Sequence, residues 1–257
     1  MYILFAMIPL MSVHGQERGF LDEADLEKMT DKEKEEYFHS LKPKQIRVQA
    51  EFIEIPAALL TELRMDKKLA LDDNKLRDKL EELLDGKGEE KIKMLESALL
   101  ITQPGEIARV ESIEELIYPT EYEPSEITPP KEGRATKANT KITPPTPCAF
   151  ETRNVGLTLE VEPKIREDHK SVELKFVPEL VYHTGNISYS DWNDKKAGVK
   201  NAIAMPKFFT LRANTNLVVA DGSYRLATVH SPKDKNGKLD RTRKVLCFVK
   251  VDILVVE

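Results

Sequence analysis

Few side chains in this sequence are spaced for chemistry. Its five histidines, His14, His39, His169, His183 and His230, are scattered, and no two fall within four residues of each other, as paired metal ligands commonly do. The nucleophile elbow G-x-S-x-G, the zinc motif H-E-x-x-H, the P-loop and the dinucleotide fingerprint G-x-G-x-x-G are missing. Carboxylates are many, but between Asp22 and Glu36 they mix with lysines in the manner of a solvated face. Cys148 would act as a nucleophile only with a histidine docked on it. The expectation is a non-enzyme with no cofactor, no metal and no small-molecule substrate. Tyr189 and Trp192, in a polar stretch, read either as an aromatic recognition spot or as apolar pins that fix their loop.

The elements that carry these residues come from patterning. At 257 residues the chain is one large domain or two modest ones. Its net charge of −5 gives no electrostatic argument for nucleic acid or for an anionic membrane surface. The one long apolar run, Tyr2 to Val13, is shorter than the roughly 20 residues a spanning helix needs. With S-V-H-G behind it, it reads as a secretory signal peptide over 1–15, cleaved after Gly15, although no Lys or Arg precedes it. The alternative is a buried N-terminal strand or helix. Cys148 and Cys247 fit an oxidising compartment, either as a disulfide or as two unpaired thiols.

Residues 16–45 form a charged helical arm, opened by the capping box Thr30…Glu33 and ended before Pro43. Residues 46–119 read as a mixed α/β part. Ile46, Val48, Ala50 and Phe52 alternate as a strand, and the phase then slips to Ile53 and Ile55, which signals a bulge or burial on both faces. A short helix follows Pro56. A second, about Asp73 to Leu84, carries Leu76, Leu80, Leu83 and Leu84 on one face, with Gly86 as its stop. The segment 120–147 reads as an extended linker or long loop, because Pro119, Pro124, Pro129, Pro130, Pro144, Pro145 and Pro147 cannot donate to a ladder.

Residues 148–257 read as β-rich, with strands at 150–162, 171–182, 206–212, 215–221, 223–229 and 243–256. Val155, Leu157, Leu159 and Val161 alternate with Gly156, Thr158, Glu160 and Glu162, and Val172, Leu174 and Phe176 alternate with Glu173 and Lys175. Gly156 inside a strand marks a bulge or a close backbone approach. Asp221-Gly222 predicts a hairpin turn with Gly222 at positive φ. The last strand is apolar on both faces and therefore central or sandwiched. His183 to Ile203 is a polar loop, or a hairpin standing off the sheet.

Several phrases resemble the core of the bacterial secretins, the outer-membrane channel proteins of type II and type III secretion systems and type IV pili. VGLTLEVEPKI followed by VELKFVPE is similar to two adjacent family strands. IRVQAEFIEI resembles the opening strand, through Ile46, Val48, Ala50, Ile53, Glu54 and Ile55. KIKMLESALLITQPGEIA resembles a family strand–turn–strand, through Leu95, Leu99, Leu100, Thr102, Gly105, Glu106 and Ala108. Asp221-Gly222 fits the family's D-G segment, and RKVLCFVKVDIL its closing strand. The resemblance covers roughly 46–257. It implies an α+β fold, a mostly antiparallel secretin-like core with two or three helices. It also implies an exported chain, periplasmic or outer-membrane associated, that self-associates or meets other secretion or pilus proteins as a structural or accessory part. The alternative is a free periplasmic or surface module, an adhesin or pilus-accessory protein. Between the D-G strand and the closing strand only the charged stretch HSPKDKNGKLDRT appears, in place of the family's longer Pro- and Gly-containing segment. That departure weighs against pore formation by this chain alone.

Overall fold

The computed structural model describes residues 28–34, 42–85, 92–128, 133, 141–194, 199–234 and 237–256. The chain divides into Met1–Pro43, with Glu257, and Lys44–Val256. In the first unit the capping box is formed. The Thr30 backbone N–H and hydroxyl donate to Glu33 Oε2 at 2.7 and 2.8 Å, and the Glu33 N–H donates back to Thr30 Oγ1 at 3.3 Å. The expected signal peptide, arm residues 16–27 and 35–41 and the Gly86 stop lie outside the described residues, and the last two residues of the expected arm, Lys44 and Gln45, already belong to a strand.

The second unit is mostly antiparallel β. In chain order it contains β1 (Lys44–Pro56), α1 (Ala57–Met65), α2 (Lys67–Ala70), α3 (Asp73–Asp85), β2 (Lys93–Thr102), β3 (Ala108–Glu123), β4 (Glu126–Thr128), β5 (Lys141–Thr143), β6 (Thr146–Ile165), β7 (Ser171–Asp194), β8 (Val199–Arg212), β9 (Thr215–Ala220), β10 (Ser223–His230) and β11 (Arg243–Val255). One sheet has the order β10-β11-β1-β2. The other has the order β3-β6-β7-β8, with β9 on β7 beyond the end of β8, and neither closes on itself.

The double-sided apolar strands dictate three layers. From β1, Ile46, Val48, Ala50 and Phe52 enter a core shared with Leu157, Leu159 and Val161 of β6 and Val172, Leu174 and Phe176 of β7. Ile53 and Ile55 face the other way, into a second core with Leu59, Leu60, Leu63, Leu76 and Leu80 of the helices. β11 divides in the same way, with Val245, Cys247, Val249 and Val251 to the first core and Leu246 and Phe248 to the second. The phase slip in β1 has both of the causes expected: Phe52 and Ile53 are each buried, and the register with β2 shifts between them.

The helical layer is pinned by a buried ion pair. Arg77 of α3 donates from Nε to Glu51 of β1, and both residues are at most 5% exposed. Gln49 Nε2 donates to Glu51 Oε1 at 2.8 Å, and the Tyr224 hydroxyl lies 3.4 Å from the same oxygen. The Tyr224 ring stacks under the Arg77 guanidinium at 5.4 Å. α2 had no apolar pattern to announce it; Asp66 caps it by accepting from the Lys68 N–H at 2.8 Å.

Three features differ from the sequence reading. The Pro-rich segment is no linker between two parts. β3 runs through Pro119 to Glu123 against β6, and β4 pairs with β5 beyond them. Register shifts after Pro119 and at Glu121 absorb the missing donor. The supposed mixed and β-rich parts are one unit, since β1 pairs with β11 along its whole length. The Asp221-Gly222 turn has Gly222 at φ 71°, yet it joins no hairpin: β9 pairs with β7 and β10 with β11, so the turn crosses from one sheet to the other. Asp221 Oδ1 accepts from the Ile253 N–H at 2.7 Å, and Gly222 N–H donates to Val251 O at 2.8 Å, which holds the crossing to the end of β11.

Gly156 sits where the second sheet splits. β6 and β7 pair only from Gly156↔Val181 to Ile165↔Val172. Beyond that point β6 stays with β3 and β7 stays with β8, as two separate ribbons. The second ribbon carries His183 to Ile203, so of the two readings for that stretch the hairpin is the one formed. Gly156 has φ 127°, and a Cβ there would overlap the Ser112 carbonyl oxygen of β3. Gly222 has open space around it. Gly156→Ala is therefore expected to cost more than Gly222→Ala. Strain alone contributes about 1–3 kcal/mol at each site, and only the first adds a backbone collision. Urea melts of the two variants measure the order.

Candidate assembly surface

Both sheets of this unit end in open strand edges. Each sheet is open, so each ends in two unpaired rows of N–H and C=O groups among the described residues. The core brings these edges into register: β2 lies next to β3, and β10 next to β9. One flank of the sandwich therefore presents β2 and β3, and the opposite flank presents β10 and β9; β8 continues the β9 line into the ribbon past Gly156, where it also contacts β3.

Those flanks differ in charge. β3, ARVESIEELIYPTEYE, holds five glutamates and one arginine. β8, VKNAIAMPKFFTLR, holds three basic residues and no acidic one. The outward face between them is a polar ladder. Arg212 donates to Glu179 at 2.5 Å, Arg153 lies 3.8 Å from Glu179, and Arg109 lies 2.5 Å from Glu111. Exposed apolar residues on the ribbons include Ile117 at 67%, Phe150 at 58% and Tyr189 at 68% exposure. Tyr118 of β3 packs on Phe208 of β8 with ring centroids 5.7 Å apart, so the two ribbons touch beyond the split. The side chain of Trp192 lies outside the described residues.

The two cysteines are free thiols. Cys148 is exposed on the first ribbon, eight residues beyond the split at Gly156, whereas Cys247 is sealed in the core, so the disulfide reading gives way to two unpaired thiols. Burial pushes the Cys247 thiol up to about 12, against the opposite pull of a hydrogen bond from Thr228. Iodoacetamide at neutral pH is expected to label one thiol per folded chain, at Cys148, and both after denaturation. Peptide mass mapping reads this directly, and fast native labelling of Cys247 would contradict its burial. No group of three or more His, Cys, Asp or Glu side chains placed to hold a metal occurs among the described residues. No helix among them is long and apolar enough to cross a membrane.

No protein-family model and no curated protein matches the chain. Among solved structures it is similar to the type IV competence pilus secretin PilQ of V. cholerae, at 13% identity and a TM-score of 0.40, over 86% of this chain and 64% of that one. It is similar to the type II secretin GspD of enteropathogenic Escherichia coli, at 11% identity and a TM-score of 0.42, over 88% and 74%. It is also similar to the secretin InvG of the Salmonella SPI-1 type III injectisome, at 12% identity and a TM-score of 0.38, over 84% and 66%. The chain thus spans 64% of the PilQ chain, and these three solved structures are secretins.

Proposed function

We propose that this chain is a non-enzymatic, exported component of a bacterial secretion or type IV pilus apparatus, and that it works by joining copies of itself flank to flank. The observation that carries this reading is the pair of stacked, oppositely charged open edges. Each sheet is four strands wide with alternating directions, β9 continuing the line of β8. A neighbour placed against the flank therefore pairs antiparallel in both sheets at once, its β8 beside β3 and its β10 beside β2. Acidic β3 then meets basic β8. Such head-to-tail contact is heterologous. It closes into a ring and removes the unpaired edges. The motif resemblance to secretins supports the apparatus, and the apolar segment before Gln16 supports export to the periplasm or outer membrane.

Sedimentation of the full mature chain tests the assembly. Self-association that weakens with added salt is expected. Glu114→Lys with Glu115→Lys on β3 weakens it, Lys207→Glu on β8 weakens it too, and combining the two changes restores part of the loss. A monomer at every concentration, unchanged by these reversals, would overturn the reading in favour of a free binding module. Terminal sequencing that found Met1 on a cytosolic protein would remove the export half.

A further inference from the structure

The sheet carrying β1 and β2 ends before the ribbons do, and this mismatch opens a cavity of about 380 Å³ at the mouth of the sandwich. Its apolar floor is Leu95, Val155, Leu180, Val181 and Pro232. Two polar groups on its wall have nothing to bind among the described residues. The carboxylate of Glu96, half-buried on β2, and the hydroxyl of Tyr182 on β7 take part in no hydrogen bond or ion pair there. The third, Glu54, is already held by Arg243. The one cation on the lining, Lys233, is drawn aside over the Phe209 ring, 5.1 Å from its centroid.

A concave, mainly apolar site with a few convergent polar groups is the usual form of a ligand pocket, and about 300–1,000 Å³ is the usual size. The unpaired carboxylate of Glu96 selects the ligand's sign, and the unpaired phenol of Tyr182 lines the same cavity. The phenol stays neutral at working pH, because burial, with help from the Glu54 charge, pushes its pKa up to about 12. It can therefore accept a hydrogen bond while the carboxylate supplies the charge. We propose that this mouth cavity is a binding site for a cationic group carried on an apolar stem, with the stem on the Leu95–Val181 floor and the head between Glu96 and Tyr182. Lysine and arginine side chains of a polypeptide have this chemistry, and so do small alkylammonium amphiphiles. The site does not depend on the flank-to-flank assembly.

The test is calorimetric titration of the full chain with n-hexylammonium, hexanol and hexanoate. Saturable binding of hexylammonium is expected, hexanol about tenfold or more weaker for want of a positive charge to meet the carboxylate, and hexanoate weaker still. Glu96→Gln should weaken hexylammonium by about tenfold and leave hexanol unchanged. Lys233→Gln, by removing the nearby positive charge, should tighten hexylammonium, more so at low salt. A blocked Val-Lys-Val peptide separates the sources: tighter binding than hexylammonium assigns the site to a polypeptide side chain, weaker binding to a small amphiphile. Equal affinity for the three probes, or no saturation with hexylammonium, would overturn the proposal. That comparison uses the unaltered chain, so it decides the matter even if a variant fails to fold.

Discussion

Val249→Asp should remove most of the stability of the Lys44–Val256 unit. Val249 is fully buried on β11, opposite Ala50 on one side and Arg225 on the other, and its side chain points into the core between the sheets. An aspartate there has apolar core neighbours, and the cation across the strand pair, Arg225, is exposed and lies 3.7 Å from Asp73. It must either hold a charge in a dry core or take up a proton, and in both cases it leaves polar atoms unsatisfied. The expected loss exceeds about 4 kcal/mol, a large part of the roughly 5–15 kcal/mol available to a domain. Loss of the cooperative urea transition, or a midpoint shifted far down, is the result to look for. A neutral outcome would mean that β11 is not central, and the two-sheet architecture would fall with it.

Breaking the buried ion pair should come close behind. Glu51→Ala leaves Arg77 enclosed, with only Glu81 at 3.2 Å for company, and Glu81 is itself exposed. Removing one partner of a buried pair costs about 3–5 kcal/mol, because the other charge stays desolvated. Replacing both residues, as Glu51→Met with Arg77→Met, should recover most of that loss, since an apolar pair needs no partner. A double-mutant cycle from denaturant melts reads the coupling. If Glu51→Ala cost as little as a surface change, α3 would be loosely attached rather than pinned. The helical layer would then be the first part of the unit to open in native-state hydrogen exchange.

The local elements were largely legible in the sequence because their causes are local. Alternation in 155–161 and 172–176 names two half-buried strands whatever they pair with. The slip from Phe52 to Ile53, and the double-sided run from Val245 to Val251, announced strands covered on both faces. Leucine spacing gave α3, and Thr30 with Glu33 gave a cap that needs nothing beyond its own turn. What failed depended on partners far along the chain. Prolines at 119 and 147 argued against a ladder, yet these strands have bulges that release the missing donor, and only the pairing of β3 with β6 shows it. Asp-Gly at 221 signals a turn but not which strands it joins. The choice of two sheets was made by β7 and β11, each already seeking its own neighbours. Gly156 was a visible oddity whose meaning, a backbone crossing beside Ser112, required β3 to be placed. In sequence nothing sets Glu51 apart from other glutamates of alternating strands. Arg77, 26 positions away, turned it into a buried anchor, because only packing decides which polar faces lose their water. In the same way the residues settled the charge of β3 and of β8, whereas their place as the two end strands of one sheet, and the unpaired Glu96 and Tyr182 lining one cavity, came from tertiary structure alone.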